Sequence, residues 1–431
     1  MKITIQPQAA KGTVRIPSSK SVSQRLLAAS LLRKGKTVLE NFGGSEDEKA
    51  ALSLIRQLGA AAQYIPDQAK VEIDSDGFPN EATGSLIHCG ESGLSLRMFS
   101  MIAALSDKEI AIEAEGSLRS RPLKVIEEVC HILGVQYASD PAQGFPVRIQ
   151  GPLQAKDITL DGSITSQVLT GVLMAYAQAE ITAPVTITVQ QLNSKPYIDL
   201  TLAALEAFGM NVPKNEEYER FVFSPKKRAT PQGVKHLSVE GDWSNAAFFL
   251  VAGAVAGSVS VTGLDVFSAQ ADKKILEALQ DCGCRMSITT EEVTVHHQPL
   301  RAFQFDATDC PDLFPPLVVL AACAEGTSVI EGVSRLQHKE SNRALTLQEQ
   351  MGRMGVSVTL QDDYMIVKGR ADIIGATVDS CNDHRIAMAA AILALKASDT
   401  VHITHADAVN KSYPTFFEHL NALVQEPARQ S

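Results

Sequence analysis

The feature that most restricts how this chain can fold is an internal repeat. Six short β-like segments recur: KTVLENF from Lys36, KEIAIEAEG from Lys108, PVTITVQQL from Pro184, GSVSVTGL from Gly257, GTSVIEGV from Gly326 and DTVHITHA from Asp399. Their spacing is roughly 70 to 76 residues, close to one sixth of the 431-residue chain. Each follows a run of small and apolar residues suited to a buried helix, such as RLLAASLL, NAAFFLVAGAVA or RIAMAAAILAL. Such a run permits close helix–helix approach. Each is followed by a second helix pattern, and five of these stop at a glycine: Gly59, Gly134, Gly209, Gly283 and Gly355. A glycine there can take the left-handed conformation that ends a helix. Coincidental βα alternation would not reproduce helix, strand and helix in the same order six times, five of them closed by a glycine.

A chain of this length exceeds one ordinary core. The expected fold class is α/β (α+β), with six βαβαββ-type units, three per domain. The expected domains are 1–18 plus 238–431 and 19–237, joined by a two-strand hinge near 17–20 and 234–241. The N-terminal segment MKITIQPQAAKG alternates like a strand and lacks the apolar core of a signal peptide. The longest apolar stretch, from Phe248 to Gly257, is about half of what a bilayer crossing needs. Seven cysteines without framework spacing fit free thiols in a reducing cytoplasm, and Cys282-x-Cys284 is one residue too tight for a zinc knuckle. A net charge of −10 argues against a general nucleic-acid binder, though not against a local basic pocket.

The residues that bear chemistry lie just ahead of the buried helices: SSKSVSQR from Ser18, GESGLSLR from Gly90, SITSQ from Ser163, GDWSN from Gly241, DCPD from Asp309 and NDHR from Asn382. Helix capping explains each of them taken singly. Helix N-termini also present free N–H groups and partial positive charge, which suit phosphate and carboxylate. Seven cations, Lys20, Arg25, Arg121, Lys339, Arg343, Arg385 and Lys411, fall at or beside turns or helix starts. Their recurrence at equivalent points of repeated units favours a polyanion site over scattered surface charge. Two carboxylates, Asp312 and Glu340, stand among them and are candidates for proton transfer. For Asp312 the alternative is an N-cap, and for Glu340 a surface ion pair with Lys339 or Arg343. His384 is either a proton shuttle or a packing partner that orients Arg385. No Walker loop, HExxH or paired CxxC occurs, so neither a nucleotide triphosphate nor a metal is indicated.

These segments, with RSRPL, TSQVLTG, SKPYIDLTL, KESNR and KSYPTFF, resemble in order and spacing the motifs of the 5-enolpyruvylshikimate-3-phosphate synthases. The resemblance covers essentially the whole chain. It implies two domains of threefold pseudosymmetry that close over the substrates as an inverse α/β barrel. It implies shikimate-3-phosphate contacts at Lys20, Ser21, Arg25, Thr165, Ser166, Gln167, Ser194, Asp312 and Lys339, with Tyr197 beside them. Phosphoenolpyruvate contacts would be Lys20, Gly93, Arg121, Gln167, Arg343, Arg385 and Lys411. Asp312 matches the family's proton acceptor and Glu340 its proton donor, and Lys20 joins them as a catalytic residue. The implied reaction is an addition–elimination between two small anions, with no cofactor and no metal, in a cytoplasmic protein expected to be a monomer that binds neither nucleic acid nor membrane. Glu91 and Leu94 depart from the family's usual Asn and Thr around Gly93, which puts inhibitor sensitivity in doubt. Arg335 stands where an Asn is common, and Thr165 replaces a Ser while keeping its hydroxyl.

Two alternatives remain open from the residues. The sister enzyme that transfers enolpyruvyl to UDP-N-acetylglucosamine shares the architecture but relies on a loop cysteine, and the Arg119–Pro122 segment holds none. A non-catalytic binding protein of the same fold would be expected to have lost Asp312, Glu340 or several cations.

Overall fold

The six alternating segments are strands Lys34–Glu40, Ile110–Glu113, Val185–Gln190, Gly257–Thr262, Thr327–Glu331 and Val401–Thr404, one in each of six small sheets. The structure, a computed structural model, describes residues 1–163, 166–225, 233–337, 339–369 and 372–424. Five of the sheets follow one plan, in which the repeat strand pairs in parallel on one side and with an antiparallel hairpin on the other. The sixth departs from it. Its repeat strand Val401–Thr404 pairs in parallel with Thr377–Asp379, but the antiparallel place is taken by Lys2–Ile5, with Ile3 opposite Ile403.

By backbone contact the chain divides into two units, Met1–Pro17 with Glu240–Ser431, and Ser18–Val239. In each, the first sheet takes its parallel strand from the segment just before the chain crosses over. Ala10–Arg15 pairs with Gly257–Thr262 in the discontinuous unit, and Lys235–Ser238 pairs with Lys34–Glu40 in the contiguous one.

The apolar runs are helices Lys20–Leu32, Gly93–Ala103 and Ser166–Gln178 in the contiguous unit, and Trp243–Ala256, Phe314–Ala322 and His384–Ala394 in the other. They form the cores. Every residue of Trp243–Ala256 except Ser244 is buried, as expected of a helix that is apolar all round. Small residues set how closely these helices pack. A Cβ on Gly171 would lie 2.7 Å from the Met98 carbonyl oxygen of the facing helix.

The second helices are amphipathic and cover the outside of the repeats. Lys124–Leu133 buries Ile126, Val129, Cys130 and Leu133, the spacing of one helical face. The five glycines read as helix stops all adopt positive φ, from +67° at Gly209 to +101° at Gly59. No described helix is long and apolar enough to cross a membrane.

Candidate active site

In the discontinuous unit the site is organised around Asp312. DCPD does not cap a helix through this residue. Asp312 lies within a 3₁₀ turn, Pro311–Leu313, whose proline fixes the backbone ahead of helix Phe314–Ala322. Its Oδ1 accepts from Lys339 Nζ at 3.1 Å and Arg343 Nη1 at 2.8 Å, and its Oδ2 from Arg385 Nη2 at 3.2 Å. Burial alone would raise the Asp312 carboxyl. Arg385, Lys339 and Arg343 outweigh that and hold it well below the usual carboxylate range. Burial acts the other way on Lys339, lowering its ammonium although Asp312 draws it up.

Arg343 opens helix Arg343–Arg353 and is fully buried. Besides Asp312 it donates through Nη2 to Glu340, and through Nε and Nη2 to Asp383 at 2.9 and 3.2 Å. Three carboxylates on one guanidinium more than offset its burial and keep it firmly protonated. Asp383 was not anticipated as a site residue, yet it braces much of this cluster. It N-caps helix His384–Ala394 by accepting from Arg385 N at 3.0 Å, and it also accepts from Ser341 Oγ at 3.1 Å. Lys411 ends the 3₁₀ turn Ala406–Lys411 and donates to the Asn382 carbonyl at 3.0 Å. His384 is buried with Nδ1 4.0 Å from Asp383, which favours the packing role over a shuttle.

Asp272 was also missed. It is buried, accepts from Ser244 Oγ, and its Oδ1 has no hydrogen-bond partner among the described residues. Burial, reinforced by the Asp312 charge and opposed by Arg385, pushes its carboxyl up to about 7.

In the contiguous unit Lys20 is the first residue of its helix and pairs with Asp47 at 3.0 Å. Arg25 departs from the expectation of a cation beside a turn. It is buried in the helix body, and its nitrogens donate to Ser21 O, Tyr197 O, Thr201 Oγ1 and Thr170 Oγ1 at 2.8 to 3.4 Å. No carboxylate among the described residues pairs with it, and burial lowers it to about 10. Gly93 opens helix Gly93–Ala103 behind the N-cap Ser92. A Cβ on Gly93 would lie 2.7 Å from Arg121 Nη1 and 3.0 Å from Arg97 Nη1, so a side chain there would displace both guanidinium groups. Arg97, a further residue not anticipated, donates to Gln167 Oε1 at 3.0 Å and to the Gly93 carbonyl at 3.3 Å. An arginine has no acceptor, so Gln167 turns its amide oxygen to Arg97 and its NH₂ away. Ser194 caps helix Lys195–Ala207 in the left-handed conformation, φ 60°, which is strained for a residue with a Cβ. Ser166 and Gln167 open helix Ser166–Gln178, and Ser21 lies in the first turn of Lys20–Leu32. Thr165 lies outside the described residues.

Five sheets on one plan, a sixth that varies it, and cationic helix starts in both units make up an architecture that this chain shares with enolpyruvyl transferases. The enolpyruvyl transferase NikO from Streptomyces tendae shares the fold, with a TM-score of 0.76 over 97% of this chain and 96% of that one, at 18% identity. An EPSP synthase from Acinetobacter baumannii superposes with a TM-score of 0.80 over 98% of both chains, at 28% identity. The family model for EPSP synthase (3-phosphoshikimate 1-carboxyvinyltransferase) matches residues 5–420. Proteins named 3-phosphoshikimate 1-carboxyvinyltransferase from Clostridium perfringens and Methanopyrus kandleri are each 34% identical, over 98% and 95% of this chain and the same shares of their own. The chain belongs to the EPSP synthase family.

Proposed function

We propose that the chain transfers the enolpyruvyl group of phosphoenolpyruvate to the 5-hydroxyl of shikimate-3-phosphate, releasing phosphate, in the shikimate pathway. Family membership supports the reaction. For the roles of individual residues, the observation that carries the reading is Asp312, an ionised carboxylate held by Lys339, Arg343 and Arg385.

A carboxylate tied to three cations is a poor base. When substrate anions share those cations, Asp312 loses part of its stabilisation and its proton affinity rises. Anion binding therefore activates the base. Asp312 takes the 5-hydroxyl proton as that oxygen bonds to C2 of phosphoenolpyruvate, and Glu340, which takes up a proton when the substrate anions draw Arg343 away from it, gives that proton to the methylene carbon. A tetrahedral intermediate results. Glu340, now ionised, recovers a methyl proton as the C–O bond to phosphate breaks and the double bond re-forms.

Lys20, Ser21, Arg25, Thr165, Ser166, Gln167, Ser194, Tyr197 and Lys339 serve the sugar phosphate. Lys20, Gly93, Arg121, Gln167, Arg343, Arg385 and Lys411 serve phosphoenolpyruvate. The reading carries with it a cytoplasmic monomer, which light scattering behind a sizing column would test.

The deciding assay follows phosphate release from phosphoenolpyruvate with shikimate-3-phosphate or with UDP-N-acetylglucosamine as acceptor. Release with the first alone, matched by the enol ether in the mass spectrum, is the expected result. Release with the second alone, or with neither, overturns the proposal.

A further inference from the structure

The turn after helix Ile275–Asp281 carries two thiols that the reaction above does not use. Cys282 is buried at the helix end, and Cys284, partly exposed, stands just before strand Arg285–Ile288. The helix stop itself brings them together. Gly283 N donates to Gln280 O at 3.0 Å and Cys284 N to Leu279 O at 2.9 Å, which is the Schellman pattern with Gly283 at φ +89°. The chain reverses around the glycine and the two sulfurs come within 3.4 Å of each other. A Cβ on Gly283 would meet nothing within 4 Å, so the turn has room to adjust.

We infer that Cys282 and Cys284 form a reversible disulfide site that low-molecular-weight disulfides oxidise. A disulfide needs the sulfurs at about 2.05 Å, so they must close by about 1.4 Å, a shift that side-chain rotation in an uncrowded turn supplies. The exposures set the order of events. Cys284 Sγ attacks an external disulfide, giving a mixed disulfide and one free thiol. Cys282 Sγ then attacks Cys284 Sγ, breaks the mixed disulfide and releases the second thiol. Both cysteine sulfurs are oxidised, and one external disulfide is reduced to two thiols. The two thiols share one hydrogen bond in which either can donate, so the pair gives up its first proton more readily than a lone buried thiol and resists losing the second, and either sulfur can carry the thiolate. No other pair of thiols among the described residues is in contact: burial pushes Cys89 and Cys310 up and leaves them inert, and Cys381 is exposed alone.

The test exposes the whole folded chain to oxidised glutathione, alkylates the remaining thiols and digests with trypsin. The fragment spanning 275–285 holds both cysteines. It should be lighter by two hydrogens, free of alkyl label, and return to two labelled thiols after dithiothreitol. In Cys282→Ser the glutathione adduct should persist on Cys284, because nothing resolves it. In Cys284→Ser, the buried Cys282 should take up none. The inference is overturned if the unaltered chain keeps glutathione on Cys284 without an internal link. It is equally overturned if both thiols of the fragment remain alkylated while Cys381 has reacted.

Discussion

At Asp312 burial and charge pull in opposite directions, and the three cations win. Replacing it with Asn keeps size and hydrogen bonding but removes the proton acceptor, a loss that typically costs about 10²–10⁴ in rate. Turnover of Asp312→Asn should therefore collapse while calorimetric binding of shikimate-3-phosphate survives; near-normal phosphate release would remove Asp312 from its role. Its effect on stability has a definite sign. The folded carboxyl sits below its unfolded value, so its contribution is present at neutral pH and is lost as pH falls through the folded value. Asp272 behaves oppositely, because its folded value of about 7 lies above the ordinary carboxylate range. Its ionisation costs stability increasingly as pH rises from the unfolded value to about 7 and levels off above that. Asp272→Asn should accordingly raise the melting temperature more at pH 8 than at pH 5, and an equal gain at both would refute the assignment. The sequence displayed Asp312, Glu340 and the seven cations through their motifs. It did not display Asp383, Arg97, Asp47 or Asp272, whose meaning depends on which residue each one touches. Asp47 sits in the run SEDEK and reads there as part of a solvated helix start.

Two glycines in helices show how one substitution can act at different levels. Alanine at Gly171 would press on the Met98 carbonyl oxygen and, at 2.8 Å, on Met101 Cβ, and neither can move away cheaply. Such overpacking costs about 1–3 kcal/mol, which urea unfolding would detect, and ligand contacts should be little altered. Alanine at Gly93 would meet only the ends of two arginines, which can shift. Stability should hardly change, but Arg121 would be displaced, so the KM for phosphoenolpyruvate should rise while binary binding of shikimate-3-phosphate persists. A loss of stability as large as that of Gly171→Ala would refute this distinction. The buried helices, the repeat strands and the glycine stops were legible because long apolar runs and a sixfold period leave little choice. The hairpins that complete the sheets, such as Glu292–His296 with Arg285–Ile288, were not. They are short, and their alternation becomes meaningful only beside the strand they pair with.

For the molecule as a whole, ligand binding and folding are linked. At one hundred times its dissociation constant, a ligand that binds only the folded state adds about 2.7 kcal/mol. Shikimate-3-phosphate should raise the melting temperature of the native chain and of Asp312→Asn alike, whereas Arg25→Ala should lose the shift. Arg25→Ala should also melt lower without ligand, since it leaves Thr170, Thr201 and the Tyr197 carbonyl without their shared donor. An undiminished ligand shift in Arg25→Ala would show that Arg25 is only a strut. The shared strands have a consequence for how the chain is made. Ser18–Val239 holds all three of its sheets within one continuous stretch and can fold as soon as that stretch has been synthesised. Ala10–Arg15 must wait for Gly257–Thr262, about 250 residues later, which at ribosomal speeds is roughly 12–50 s. Lys2–Ile5 waits for Val401–Thr404, roughly 20–80 s. Throughout that interval two unpaired strands trail from an already folded neighbour, and the discontinuous unit is complete only once Val401–Thr404 has been made.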